Sequence, residues 1–220
     1  MTFGTAIRKT LFYVSGKPVL SDRVRNVAYA WAYGRLKTLY PQALSVCDVG
    51  SRDSLFPAFL AWRGFHVTAV DIDPEFVTCQ ERARRDWNVK LQTVVGNIVS
   101  VGAGRSFGSV VCLFSLQHAR DDSAAYRRIA SIVEPGGLVL TVNEYHHAGT
   151  VWHKGRDDGD MRLYGKEDFA AHVEQPLFKG AVALEEKKFA RFGNGKRRGL
   201  VFVDNPEEAN VVLWVGRKRK

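Results

Sequence analysis

Short apolar runs in this chain repeatedly stop at a polar or acidic residue, and those stops hold the groups that could do chemistry. They are Asp48 with Gly50 and Ser51, Asp71 with Ile72, Asn97 with Ile98, Ser115 to His118, and Asn143 to His147. The carboxylates of Asp48 and Asp71 can accept hydrogen bonds from hydroxyl groups, and the Asn97 amide oxygen can accept from an amino group. For proton transfer His118 comes first, because a histidine titrates near neutral pH; positioning a ligand or capping a helix are its competing roles. Glu144 and His146, with His147 beside them, form a second group. Joined by His153 and Asp157 or Asp158 these could ligate a divalent ion, but mixed His/Asp loops are common on surfaces and no metal is expected.

The stretch 44–75, LSVCDVGSRDSLFPAFLAWRGFHVTAVDIDPE, reads as one strand, turn, helix and second strand. Leu44 to Val49 is apolar and rich in β-branched residues, Gly50 to Asp53 is a polar turn, Ser54 to Trp62 has a helical pattern, and Gly64 ends it. His66 to Val70 is the next strand. It stops at Asp71, about twenty residues beyond the turn, where a nucleotide-binding fold places an acid against ribose hydroxyls. A dinucleotide site wants G-x-G-x-x-G so that backbone can approach a pyrophosphate, and only Gly50 stands in this turn. NAD is therefore disfavoured. One close-approach glycine between two strand-end acids suits a cofactor with ribose and adenine but no phosphate, and S-adenosylmethionine is such a cofactor.

Apolar runs and helical patterns alternate onward: helix Glu75 to Trp87, strand Leu91 to Val95, strand Val110 to Phe114, helix Asp122 to Val133 and strand Leu138 to Val142, with Pro135-Gly136-Gly137 as a breaker. This alternation predicts an α/β fold with a doubly wound, mostly parallel seven-stranded sheet. Lys166 to Val173 is predicted helical. Leu200 to Val203 and Val211 to Val215 are expected to pair through Asp204-Asn205-Pro206 as a C-terminal antiparallel hairpin. Before the nucleotide unit, residues 1–41 read as a largely helical segment from Asp22 on, with Ser21 as N-cap. Its aromatic stripe, Tyr29, Tyr33, Leu36 and Tyr40, suits a lid over the cleft as well as plain core. Residues 42–220 form the rest of one globular domain.

With 220 residues, 45% hydrophobic and 25% charged, the chain can bury one sizeable core. No apolar run is long enough for a membrane span, and no secretory pattern opens the chain, so a cytoplasmic protein is expected. Ile7 to Val14 mixes basic and apolar residues and leaves a peripheral membrane contact open. Cys47, Cys79 and Cys112 lack metal-ligand spacing and read as reduced thiols. The net charge of +9 gathers late, at Lys187-Lys188, Lys196-Arg197-Arg198 and Arg217 to Lys220. It suits an anionic neighbour, nucleic acid included, or a solvated basic face.

Over roughly residues 44–145 the chain resembles class I S-adenosylmethionine-dependent methyltransferases, which have a Rossmann-like fold. CDVGS is similar to the family's first motif, AVDID to its ribose-binding acidic motif, GNIVS to its adenine segment, VVCLFSLQH to its fourth-strand motif, and IVEPGGLVLTVNEY to its helix-PGG-strand motif. The resemblance implies that Gly50 lets backbone approach the methionine part, that Asp71 binds the ribose, and that Asn97 and Ile98 meet the adenine, with Asp48, Ser51, Ile72 and Ser115 completing the cofactor set. Asn97 stands where the family more often has aspartate, and Arg52 and Ser54 interrupt its Gly-x-Gly-x-Gly. The pairing of DVGSRDS with SLQH and GDMRLYGKEDF resembles members of polysaccharide and small-metabolite pathways. The N/D-P-P-Y/F motif of amino-methylating DNA enzymes is absent.

Together these residues point to methyl transfer from S-adenosyl-L-methionine, leaving S-adenosyl-L-homocysteine, to a hydroxyl of a small metabolite or a glycan sugar. Tyr33, His147, Arg162 and Tyr164 are the candidate acceptor contacts; the arginine could pair with an acceptor carboxylate or phosphate. Two alternatives stay open: an RNA methyltransferase using the basic C-terminal quarter, and a cofactor-binding but inactive scaffold. Acceptor identity and oligomeric state are not legible.

Overall fold

The computed structural model describes residues 23–39, 41, 44–101, 104–153, 160–193 and 199–220. Ser21, Tyr40, the Ile7 to Val14 stretch, Asp157, Asp158 and Lys196-Arg197-Arg198 lie outside the described residues. Helix α1 (Arg23–Leu39) leads into β1 (Ser45–Val49), α2 (Phe56–Trp62), β2 (His66–Asp71), α3 (Phe76–Trp87), β3 (Leu91–Val95) and β4 (Phe107–Leu113). A short 3-10 turn (Leu116–His118) precedes α4 (Asp122–Ile132) and β5 (Val133–Glu144). There follow the small hairpin strands β6 (Val151–His153) and β7 (Met161–Leu163), then α5 (Lys166–Phe169), which runs through a π-helical turn (Ala170–Glu174) into α6 (Gln175–Lys179). Strands β8 (Val182–Gly193), β9 (Gly199–Val203) and β10 (Val211–Lys218) complete the fold.

The main sheet has eight strands in the order β3-β2-β1-β4-β5-β10-β8-β9. Strands β3 to β5 run parallel and β10, β8 and β9 antiparallel, so the predicted mostly parallel, doubly wound α/β architecture is present. Val46, Val110, Val111, Leu138, Val139 and Leu140 are fully buried, as expected of parallel strands covered on both faces. Strand order reverses at β1 and β4. Ligands of open α/β sheets bind beyond the carboxyl ends of the strands at that switch point.

One expectation needs correction. The C-terminal hairpin does not join Leu200–Val203 to Val211–Val215: β9 pairs with β8, and β8 also pairs with β10, which adds an eighth strand to the expected seven. Val211 to Val215 are all fully buried, so this strand needs a partner on each edge, and β5 and β8 supply them. The charged run Glu185 to Lys188 hides β8 in the sequence. Ala28, Ala32 and Leu36 of α1 are buried in the same core as Val46, Leu138 and Leu140.

Four of the late basic residues make contacts within the domain. Arg217 reaches Glu185 at 2.7 Å through Nε, and the carbonyls of Gly136 and Leu39 at 3.1 Å each. The Lys218 ammonium donates to the carbonyls of Ala130 and Gly180, near the C-terminal ends of α4 and α6, where a cation complements the helix dipole. Lys187 pairs with Glu174 at 3.0 Å, and Lys188 with Glu186 at 2.9 Å.

Gly216, next to a register shift between β10 and β8, lies under the buried indole of Trp214. A Cβ there would come within 2.2 Å of the ring. Gly216→Ala is expected to lower stability by ~1–3 kcal/mol through overpacking, read by denaturant unfolding with an unchanged m-value. Parental stability would show that the ring has room to move.

Candidate active site

The turn after β1 is built by backbone. Gly50 adopts φ +77°, a left-handed conformation that favours glycine, and the amides of Gly50 and Ser51 both donate to the Val70 carbonyl, at 2.8 and 3.3 Å. Across the turn stands Ser115. A Cβ on Gly50 would lie 1.7 Å from its hydroxyl oxygen, so the close approach this glycine allows here is that of Ser115. Just before Ser115, Phe114 is held at φ +56°, an uncommon conformation for a bulky residue and a mark of strain at the end of β4.

Below the turn Asp48 is only 5% exposed and receives the Ser51 hydroxyl at 2.7 Å. Burial pushes its carboxyl up to about 7; the Ser51 hydrogen bond opposes that rise and the Asp71 charge adds to it. Ser51 is itself buried, so it serves as the tether of Asp48. Asp71, at the end of β2, is oriented differently. One oxygen accepts from the Arg52 amide at 2.8 Å and the other from the Asp73 amide at 3.0 Å, which leaves each a lone pair toward solvent.

Next to it Ile72 is 72% exposed, a large apolar side chain with nothing to cover it among the described residues, and Val99 is also exposed. The expected adenine contact Ile98 differs: it is 4% exposed and packs in the core with Val49 and Val70. In the segment after β3 the chain alternates outward and inward, so the exposed apolar surface comes from Ile72 and Val99. The Asn97 amide oxygen accepts from the Val99 amide at 3.0 Å, shaping its own turn.

The second half of the site lies beyond β4 and β5. His118 is exposed at the end of the 3-10 turn, whereas Gln117 points inward. The Gln117 amide accepts from the Glu144 backbone N–H at 3.3 Å and donates to the Met161 sulfur at 3.3 Å, tying β5 to the β6–β7 hairpin. Burial raises the Glu144 carboxyl above its ordinary range, and the opposing charges of His153 and Arg25 moderate the rise. His146 contacts the Gly149 carbonyl through Nδ1 at 3.0 Å and stacks on the exposed His147.

Three expected acceptor contacts are engaged elsewhere. Tyr33 packs edge-on against Phe59 and under Arg63, on the flank of α2. Arg162 and Tyr164 both bind Asp122 Oδ2, at 2.8 and 2.6 Å. Their polar heads are therefore held inside the domain and not presented to an acceptor. Sequence reasoning missed Arg25 and Asp122 altogether, named Gln117 only within the run Ser115 to His118, and weighed His153 only as a metal ligand. Among the described residues no group of three metal-ligating side chains comes together.

The family model described as "Methyltransferase domain" matches residues 47–141, the span that holds β1 to β5. Residues 47–141, under half of the chain, are similar to methyltransferase domains. A ubiquinone biosynthesis O-methyltransferase of Xanthomonas axonopodis pv. citri is 33% identical over 104 residues, covering 46% of this chain and 44% of that protein. The chain thus spans under half the length of that curated relative. Among solved structures, a 1,6-didemethyltoxoflavin-N1-methyltransferase from Burkholderia thailandensis, with S-adenosylhomocysteine bound, superposes with a TM-score of 0.64 at 16% identity, over 99% of this chain and 89% of that one. A methyltransferase from Methanosarcina mazei superposes with a TM-score of 0.61 at 15% identity, over 79% and 92%.

The strand ends offer acceptors and apolar surface that fit S-adenosyl-L-methionine. The outward lone pairs of Asp71 suit two ribose hydroxyls, and the bare Ile72 suits the face of an adenine. Asp71→Ala is expected to weaken S-adenosylhomocysteine binding about 100-fold in calorimetry, from the loss of hydrogen bonds to a charged acceptor. Undiminished affinity would place the ribose elsewhere.

Asp48 generates a pH prediction. Its folded value of about 7 lies above its ordinary 3.8, so its contribution to stability is present below the ordinary value and is lost as pH rises through 7. Asp48→Asn, neutral throughout, should match the parent near pH 4 and become more stable than it by up to roughly 4 kcal/mol near pH 8. A pH-independent difference would show that Asp48 ionises normally.

Proposed function

We propose that this chain is an S-adenosylmethionine-dependent O-methyltransferase of a small-molecule acceptor, a metabolite or a sugar unit, working in the cytoplasm. The observation that carries the reading is Glu144: a carboxylate at the end of β5, partly buried and raised above its ordinary range, beside His153 and Arg25. A hydroxyl acceptor needs a proton acceptor of this kind, whereas an enzyme working only by proximity does not. The Xanthomonas relative is an O-methyltransferase of ubiquinone biosynthesis, which supports the same class of acceptor.

In this reading Asp71, Ile72, Gly50 and Asn97 hold the cofactor, and Asp48 with Ser51 and Ser115 shapes the turn beneath it. When bound, S-adenosyl-L-methionine supplies a methyl carbon activated by its sulfonium. The residues of this chain do the remaining work: they align the acceptor oxygen and take up its proton. Glu144 is favoured over His118 as the proton acceptor because it is partly buried at the end of β5, while His118 stands exposed at the end of the 3-10 turn. His146 and His147 flank the same loop. The three free cysteines suit a reducing compartment, and among the described residues no helix is long and apolar enough to cross a membrane.

The RNA reading loses support from the internal use of Arg217, Lys218, Lys187 and Lys188. It would require binding to RNA that falls steeply with salt.

Methyl transfer to a panel of phenols and sugars, with cofactor binding measured in parallel, tests the proposal. Glu144→Gln should lower kcat by about 10²–10³-fold with S-adenosylhomocysteine affinity intact, and should remove the acid-side fall of kcat/KM. That fall should lie above the usual carboxylate range, since the base must be ionised to work. Methyl transfer to amines alone, or full turnover in the variant, would overturn the reading.

A further inference from the structure

The most completely satisfied buried charge in the domain lies outside the strand-end set. Asp122, in the first turn of α4, is 1% exposed and receives three side-chain donors: Arg162 Nη1 at 2.8 Å and the Tyr164 hydroxyl at 2.6 Å on one oxygen, and His172 Nδ1 at 2.9 Å on the other. These donors come from β7, from the residue after it, and from the π-helical turn. Trp152, cross-strand from Arg162, lays its half-exposed ring 4.5 Å from the guanidinium and shields the pair from water.

The same residues reach the proposed base through backbone. Tyr164 uses its hydroxyl on Asp122 and its amide on the Glu144 carbonyl, at 3.1 Å, and its own carbonyl accepts from the His146 amide at 2.9 Å. Side chains alternate along a strand, so Arg162 and Trp152 take one face of the hairpin while Met161 and His153 take the other. Met161 in turn meets Gln117, which holds the Glu144 amide. We propose that Asp122 is the positioning residue of the acceptor half: it locks the β6–β7 hairpin and, through Tyr164, sets where Glu144 and His153 stand.

A purely stabilising contact has no need of charge. Well-packed apolar groups hold two layers together as strongly as a buried ion pair, and what the pair adds is a directional geometry that only one arrangement satisfies. Three donors converging from two elements onto one carboxylate fix both the translation and the tilt of the hairpin. Asp122 itself touches neither cofactor nor acceptor in this role.

This inference rests on the proposed role of Glu144, and two measurements separate their failures. With catechol as probe acceptor, Asp122→Asn should lower kcat/KM at least about tenfold and shift its acid-side limb, while S-adenosylhomocysteine affinity stays within about twofold. In hydrogen exchange with S-adenosylhomocysteine present, the amides of Glu144, His146 and Tyr164 should exchange faster in the variant while those of β1 to β3 do not change. If Asp122→Asn does not fold, Tyr164→Phe removes only the hydroxyl bridge and should give the same pattern in smaller degree. Faster exchange confined to these amides, without turnover of catechol in the parent, would support the positioning and count against the acceptor class alone. Uniformly faster exchange, or unchanged exchange and kinetics, would overturn the proposal.

Discussion

Burial of the central strands on both faces is the constraint from which the rest follows. With β1, β4 and β5 covered by helices, their buried positions are mostly Val, Leu and Cys, and a polar group there is costly unless it is paired. The Tyr126 hydroxyl with Thr141 and Asn143 is such a case, a closed triangle of hydrogen bonds between α4 and β5. Groups that must meet a ligand are thereby displaced to the carboxyl ends of the strands. The reversal of strand order at β1 and β4 opens the crevice in which those ends face one another.

The two halves of that crevice are built by different means. On the β1–β2 side the backbone does the work: paired amides on the Val70 carbonyl, a left-handed glycine, and two amides aiming the Asp71 carboxylate. Such a device depends on strand register and varies little with the side chains around it. Past β4 and β5 the geometry depends on side chains from distant segments, Gln117, Asp122, Arg162, Tyr164 and His172, separated by as much as 50 positions where His172 meets Asp122. A cofactor shared by a whole family suits the first design. An acceptor that differs from member to member suits the second, because a side-chain network can be rewritten without disturbing the sheet.

That difference also explains what was legible in the sequence. The strands β1 to β5, their helices, the Gly50 turn and the place of Asp71 at the end of β2 could be read because periodicity and turn chemistry are local signals. Strand β8 could not: Glu185 to Lys188 form a charged block whose strand character comes from pairing with β10 and β9, a non-local fact. Ile98 was read as a ligand contact and is core, because a shift of one residue within a turn exchanges inside for outside. Arg162 and Tyr164 look like free recognition groups in sequence; only the fold brings Asp122 to them. Asp122 carries no local signal beyond an acid in a helix's first turn, which is common at helix starts.

Comparison of the two buried acids shows how environment divides roles between identical side chains. Asp48 is covered by strand and turn and has one hydroxyl donor, so its charge is poorly matched and its proton is retained to about pH 7. Asp122 is as deeply covered but has an arginine, a tyrosine and a histidine turned toward it. The first is poised to respond to a positive group brought near it, and the cofactor carries such groups at its methionine end. The second already receives three side-chain donors, and its part is to hold those residues in place. A buried carboxylate therefore becomes a sensor or a clamp according to the donors it receives, and this chain has placed one of each on either side of the crevice.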